Sequence, residues 1–309
     1  MEPHRQEDRE VIAALVKEDS MSVTAPAPAV TTTPRRRTLT AVATQASAWC
    51  ATTPKRANAD GAASGLKSVG SALDVLECFA TDGELGVSDI ARRLGVAKST
   101  AHRLLQTLVS RGFVEQDRES GLYRLGIHIY ELGTLALARN ALRHVALPTL
   151  RQVAATTGLT VNLAVPDGPD VVFVERIENT DGVRILGNVG RRLPGHTTSS
   201  GKSIAAFNPQ ADQARRTVGF PPRVGRTVRT EADWDRCLAQ VRKDGYAVST
   251  SESFDGTSSV AVPILDHRGV AIASISVFGP TESIAPHVDR LVPLLRAAST
   301  RITRSRPGA

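Results

Sequence analysis

The segment Val87–Gly112, VSDIARRLGVAKSTAHRLLQTLVSRG, restricts this chain more than any other. Ile90, Ala91 and Leu94 fall on one face of a short helix. Ser88 is placed to cap that helix, with Asp89 at its positive end. Gly95 then supplies a turn, where a left-handed backbone suits glycine. Ala101, Leu104, Leu105, Leu108 and Val109 follow at the spacing of a second buried stripe. Opposite that stripe lie Ser99, Arg103, Gln106 and Ser110, with Thr100 and Thr107 at its border. Two short helices, a tight turn and a polar, basic outer face make the shape of a helix-turn-helix. The second helix of that motif enters the major groove of duplex DNA. On this reading Arg103 pairs with guanine, and Gln106 meets adenine or a phosphate. Ser99 and Thr100 sit at the helix start, where backbone N–H groups favour phosphate. Arg92, Arg93 and Lys98 are phosphate contacts. His102, at the edge of the stripe, receives no role.

The net charge of +7 over 309 residues permits a polyanionic partner but does not demand one. Its placement says more. Acids and bases balance across residues 67–126, yet Arg92, Arg93, Lys98, Arg103 and Arg111 lie together with no acid between Asp89 and Glu115. A neutral domain thus carries one local basic segment. A merely solvated basic helix pair is the plainer alternative.

The flanks fit a DNA-binding unit spanning 66–126. Val69, Ala72, Leu73, Leu76 and Ala80 mark one face of a supporting helix, with Ser68 or Ser71 as its cap. Phe113–Gln116 and Leu122–Leu125 flank a polar turn and read as a hairpin wing, with Arg118 at its tip. Residues 127–140 read as a linker helix that is apolar on two sides: Ile129, Leu132, Gly133 and Ala136 on one, Ile127, Tyr130 and Leu137 on the other. Such a helix needs a second covering surface, which a partner subunit supplies. The helix resumes over Leu142–Ala155, where Pro148 predicts a kink or restart. Residues 1–65 are rich in Ala, Thr and Pro and read as disordered, or as sequence upstream of the true start. Their Arg35–Arg37 cluster reads as a solvated tail.

From Leu159 the period changes to two. Strands are expected at Val161–Val165, Val171–Ile177, Val183–Val189, Tyr246–Ser251, Val260–Leu265 and Val270–Phe278. Helices are expected within His196–Phe207, over Glu231–Lys243, and from Ile284 with a bend at Pro293. The half 141–309 is therefore an α+β domain with an antiparallel sheet of five or six strands.

Several sharper chemistries fall away. No apolar run reaches the roughly 18 residues of a membrane span, and the charged first residues lack a secretion signal. Cys50, Cys78 and Cys237 are isolated, which fits a reducing cytoplasm. The seven histidines show no metal-ligand spacing, and nothing calls for a cofactor. Gly201-Lys202-Ser203 lacks the earlier glycine and leading strand of a phosphate loop. Ser199-Ser200-Gly201-Lys202 fits SxxK, but the companion motifs of serine acyl enzymes are missing, so no catalytic residue is assigned. Glu252 and Asp255 have no nameable partner and read as a solvated loop. Two classes remain: a ligand-responsive DNA-binding regulator, or a small-molecule-binding or acyl-enzyme domain whose helix-turn-helix mediates protein contacts.

The order SVGSALDVLECF, VSDIARRLGVAKSTAHRLLQTLVSRGFV, YRLG, LPGHTTSSGKSIAAF and SVAVPILDHRGVAIASISVFGP resembles the IclR family of bacterial transcription regulators from about Leu66 onward. The resemblance implies an N-terminal winged helix-turn-helix and a C-terminal α+β, GAF-like effector domain. It implies a homodimer or homotetramer on a pseudo-palindromic operator. It also implies a repressor of catabolic genes controlled by a small organic acid or aromatic effector. Carried over by position, the effector pocket is lined by Leu193, Ser199, Ser200, Ser249, Thr257 and Ser259. Several of these are hydroxyl-bearing where other members carry an acid, an apolar residue or a cysteine. Independently of the resemblance, Ser199, Ser200 and the backbone at the start of the following helix supply the fixed donors a small carboxylate needs.

Overall fold

The computed structural model describes residues 66–80, 82–178 and 190–306. The readings of residues 1–65 and of a strand at Val183–Val189 lie outside the described residues.

Three helices build the first core: α1 (Lys67–Cys78), α2 (Val87–Leu94) and α3 (Lys98–Ser110). A hairpin of β1 (Val114–Gln116) and β2 (Tyr123–Leu125) follows, paired antiparallel from Val114↔Leu125 to Gln116↔Tyr123. Val75, Ile90, Ala101 and Leu105 are fully buried between these elements. Gly95 closes α2 in the left-handed region, at φ +65.

Three local expectations change. α2 begins one residue before Ser88, with Gly86 at the cap position, so Ser88 lies inside the first turn. α1 starts at Lys67 behind Leu66 and has no side-chain cap, so neither Ser68 nor Ser71 has that role. On α1 the buried face runs through Ala72, Val75, Leu76 and Phe79. Val69 and Leu73, read on the same face as Ala72 and Leu76, are 53% and 58% exposed. Periodicity finds an apolar stripe but not what covers it.

The linker helix α4 (Ile127–Ala138) is separated from α5 (Ala141–Thr157) by Arg139 and Asn140. The Asn140 side chain caps α5 by accepting from the Arg143 N–H at 3.0 Å. The restart expected at Pro148 therefore falls earlier, at Asn140, and Pro148 lies inside α5. No residue of α4 is buried, and Ile127, Tyr130, Leu132 and Leu135 stand exposed.

The second core is built on a six-stranded antiparallel sheet of order β5-β4-β3-β8-β7-β6. Its strands are β3 (Thr160–Asp167), β4 (Asp170–Ile177), β5 (Arg192–Pro194), β6 (Ala247–Thr250), β7 (Thr257–Leu265) and β8 (Ala271–Pro280). Alternation gives the sheet two unlike faces. One carries Val161, Leu163, Val260, Ile264, Ile275 and Val277, packed on α5 and the last long helix, α10 (Val288–Arg304). Each such aliphatic side chain contributes about 1.5–3 kcal/mol when buried. The other face, read from the register, carries Asn162 opposite Ser276, Ala164 opposite Ser274, and Ser249 opposite Ser259 opposite Phe278. Helix α6 (Ser199–Phe207) lies on this polar face, followed by α7 (Pro209–Val218) and α8 (Glu231–Asp244). The short α9 (Thr281–Ile284) precedes α10, and Pro293 sits within α10. Strand β5 and helix α7 had no clear signal in the sequence, being respectively very short and strongly polar.

Candidate functional site

Helix α3 presents Lys98, Ser99, Thr100, His102, Arg103, Gln106 and Thr107 to solvent, while Ala101, Leu105 and Leu108 hold it to the core. Ala97 at its cap position provides no side-chain cap, so its first N–H groups point outward at the positive end of the helix dipole. Arg92 is exposed and forms an ion pair with Asp89 one turn earlier. Arg93 is engaged differently: it pairs with Asp82 and donates to the Cys78 carbonyl at 3.1 Å, tying α2 to the end of α1. Arg118 is exposed in the wing turn, which the Asp117 carboxylate organises by accepting from the Ser120 and Glu119 N–H groups. These bonds hold the Asp117 carboxyl below its usual range. His102 shares the outward face with Arg103 and Gln106, which its border position on the helical wheel did not reveal.

The second site is a cavity between α6 and the polar sheet face. It encloses about 380 Å³, its open mouth included. Leu193, Ser199, Ser200, Ser249, Thr257 and Ser259, singled out from the sequence, all line it. They come from four elements that meet here: β5, α6, β6 and β7. The wall also includes residues the sequence did not single out, Asn162, Phe173, Ser253, Phe254, Ser276 and Phe278. Strand register places Asn162, Phe173, Ser276 and Phe278, and the loop between β6 and β7 places Ser253 and Phe254; no local pattern fixes either.

Thr198, not either serine, caps α6, its hydroxyl accepting from the Gly201 N–H at 2.9 Å. That leaves Ser199 and Ser200 to reach the sheet. The Ser199 hydroxyl donates to Ser259 Oγ at 2.7 Å, and Ser200 donates to Ser276 Oγ at 3.1 Å. Ser249 and Ser253 both donate to the Thr197 carbonyl, at 3.2 and 2.5 Å. Thr257 turns its hydroxyl to the Phe254 carbonyl at 2.9 Å. The result is a cluster of small neutral donors and acceptors facing aromatic walls, suited to orienting a small molecule.

The loop between β6 and β7 closes one side of the cavity. Ser251 in it has φ 51, the only positive φ at a non-glycine among the described residues. Glu252 is not the solvated loop carboxylate expected from sequence. Both its oxygens lie 2.5 Å from the Lys202 ammonium, and Lys202 is only 3% exposed. Burial raises the Glu252 pKa, and the lysine only partly offsets this.

Behind α6, His196 is fully buried against Phe220 and Pro221. Its Nε2 donates to the Pro221 carbonyl at 3.0 Å, while Nδ1 has no partner among the described residues. Burial, with neighbouring cations, lowers its pKa from 6.5 to about 4. Since the folded state resists the proton that the unfolded chain accepts, stability is full above the unfolded pKa and falls as pH drops toward the folded one. At about pH 5 this imidazole should cost about 2 kcal/mol. Urea unfolding across that range should show the loss, and His196→Gln, whose amide can still donate but does not titrate, should lack it.

The sequence matches the IclR helix-turn-helix domain over residues 68–118 and the C-terminal domain of bacterial IclR transcriptional regulators over residues 134–304. The glycerol operon regulatory protein of Streptomyces griseus is 35% identical over 223 residues, covering 71% of this chain and 88% of its own. An IclR transcriptional regulator from Alicyclobacillus acidocaldarius has a similar crystal structure: TM-score 0.69, 31% identity, 78% of this chain and 99% of that one. So does an IclR homologue of Microbacterium hydrocarbonoxydans solved with 4-hydroxybenzoate, with TM-score 0.67, 32% identity, 77% of this chain and 98% of that one. With a winged helix-turn-helix on one core and a hydroxyl-lined cavity on the other, the chain belongs to the IclR family of bacterial transcription regulators.

Proposed function

We propose that this regulator represses catabolic genes and is controlled by a small organic acid or aromatic effector seated in the α6 cavity. The observation that carries this reading is that six residues scattered from Leu193 to Ser259 border one cavity. The 4-hydroxybenzoate complex of the Microbacterium homologue supports the effector class. In the cavity, Ser199, Ser200, Ser249, Thr257 and Ser259 orient the polar end of the effector, and Leu193 packs its apolar body.

Two chains pair through the exposed apolar faces of α1 and α4, where Leu73, Ile127 and Tyr130 are 58%, 63% and 70% exposed. Such a stripe fits a covered surface better than a solvated one. These dimers work alone or join as tetramers in the cytoplasm. The paired α3 helices then read half-sites about 10 bp apart, or multiples of that, on a pseudo-palindromic duplex. Arg103 and Gln106 read bases. Lys98, Ser99, Thr100 and Arg92 meet phosphates, and Arg118 touches the backbone or minor groove. Arg93 contributes to the same positive face while holding α1.

An acyl-enzyme role fits less well. The Lys202 ammonium is taken up by Glu252, and the Ser199 hydroxyl donates to another serine rather than to a base.

The test is a gel shift of the full chain on its own upstream intergenic DNA with a panel of small organic acids. A specific shift that one acid releases is expected; no specific shift at moderate salt removes the reading. Arg103→Ala should cost about 1–3 kcal/mol at the operator and relax preference at one base pair. An unchanged affinity and footprint would take Arg103 out of the interface.

A further inference from the structure

A chain of polar contacts crosses the sheet from the cavity to the start of α5. Asn162 lines the cavity and is 3% exposed. Its Oδ1 accepts from Arg176 Nη1 at 3.3 Å. The same guanidinium lies 5.8 Å from the ring centre of Phe278, another cavity wall. The Arg176 backbone N–H in turn donates to Glu175 Oε1 at 3.0 Å. The other Glu175 oxygen stands 2.7 Å from Arg143 Nη2, on the third residue of α5.

A β-bulge makes this crossing. The β3–β4 register pairs Asn162 with Arg176 and Leu163 with Glu175, then skips Val174 and pairs Ala164 with Phe173. In a regular strand Phe173 and Glu175 would share a face. The extra residue sends Phe173 to the cavity and Glu175 to the opposite, helix-covered face. Bulges of this kind are found where a strand must re-aim a side chain beside a site.

The end of the chain is held weakly in direction. Arg143 is a cation in the first turn of α5, where the helix dipole disfavours positive charge. Glu175 offsets that charge, but among the described residues its Oε2 and Arg143 Nε make no hydrogen bond, so the pair is close without being tightly oriented. Just before it lie Asn140, which caps α5, and the end of α4, where the Ala138 carbonyl bonds His144 Nε2 at 2.9 Å. A small shift of Glu175 thus acts directly on the joint between the linker helix and the sensor.

We propose that Asn162, Arg176, Glu175 and Arg143 couple occupancy of the cavity to the α4–α5 joint, and through α4 to the DNA-reading helix. This rests on the reading of the cavity as the effector site. An occupant that engages Asn162 or presses Phe278 moves Arg176 and the β4 backbone at its base, and that backbone, whose N–H holds Glu175, moves Glu175 against Arg143.

The experiment replaces the effector with a fixed occupant, the substitution Ser259→Phe, and measures affinity for the upstream DNA by fluorescence anisotropy with the full chain. Ser259→Phe should change that affinity by a factor within about 5–150, the usual range of allosteric coupling. Glu175→Gln or Arg143→Met, added to Ser259→Phe, should remove most of that factor. A merely structural role for Glu175 would shift affinity equally with and without the filler, so the non-additive part is the readout. If the double variants keep the whole factor, the coupling runs elsewhere and this proposal is overturned while the cavity reading stands. If filling leaves affinity unchanged, the cavity does not govern DNA binding and both fall. Ser253→Phe, at a half-buried wall position, serves as the filler if Ser259→Phe does not fold.

Discussion

Lys202→Met should destabilise the sensor half by about 3–5 kcal/mol, the cost of leaving a buried carboxylate without its counter-ion. Lys202 and Glu252 have side chains only 4% and 11% exposed, and the ammonium meets both carboxylate oxygens at 2.5 Å. The lysine also lies 3.5 Å from the Val248 carbonyl, so few other groups share the charge. Removing the lysine alone strands Glu252 in a site that already raises its pKa. The double substitution Lys202→Met with Glu252→Leu removes both charges and should recover most of the loss, since an apolar pair of similar volume often matches a buried ion pair. The pH dependence has a definite sign. In Lys202→Met the folded carboxyl pKa is raised further, so the folded state takes up a proton that the unfolded chain does not. The deficit therefore narrows as pH falls through that raised pKa. Denaturant unfolding of the three proteins at several pH values checks all of this. A single variant as stable as its double partner would mean that the pair is not closed in solution.

That ion pair also shows where the sequence stops being informative. Lys202 and Glu252 are 50 positions apart, and only the packing of α6 against β6 joins them. The helix-turn-helix was legible because its determinants are local: a 3.6-residue stripe, a glycine at the turn and a hairpin. The apolar excess of α1 and α4 was legible as well, but Val69 and Leu73, read as part of one apolar face with Ala72 and Leu76, stand exposed. Periodicity is the same for a face that meets its own chain and one that meets another. In the cavity, Ser199 and Ser200 were legible both as donors at a helix start and through the resemblance to a family, while Leu193 and Ser249 came through the resemblance alone. Asn162, Phe173 and Phe278 were missed because a strand residue shows which side it faces only once the register is fixed. The bulge at Leu163/Ala164 reverses that side within β4, so even perfect alternation would have misplaced Phe173 or Glu175.

Gly201→Ala should be as damaging as Lys202→Met, with a loss on the order of 4 kcal/mol and an empty response to effector. The reason is backbone against backbone. A Cβ at position 201 would lie 2.2 Å from the Gly195 carbonyl oxygen and 2.3 Å from its Cα. No side chain can rotate away to relieve this. The first turn of α6 would have to lift from the turn at Gly195–Thr197. Position 201 also follows Ser199 and Ser200 directly, and its N–H is the one capped by Thr198 at 2.9 Å. Lifting it breaks that cap and draws the two serines away from Ser259 and Ser276, to which they donate at 2.7 and 3.1 Å. The DNA-binding core shares none of these contacts. Gly201→Ala should therefore lower the melting temperature and lose effector release, while the residual folded protein still shifts operator DNA in a gel. Gly225→Ala, in an exposed turn of the sensor half with no described atom within 4 Å of the added Cβ, is the matched control and should melt close to the parent. If Gly201→Ala melts like that control and keeps its response, the close seating of α6 on Gly195 is not what positions the serines of the cavity.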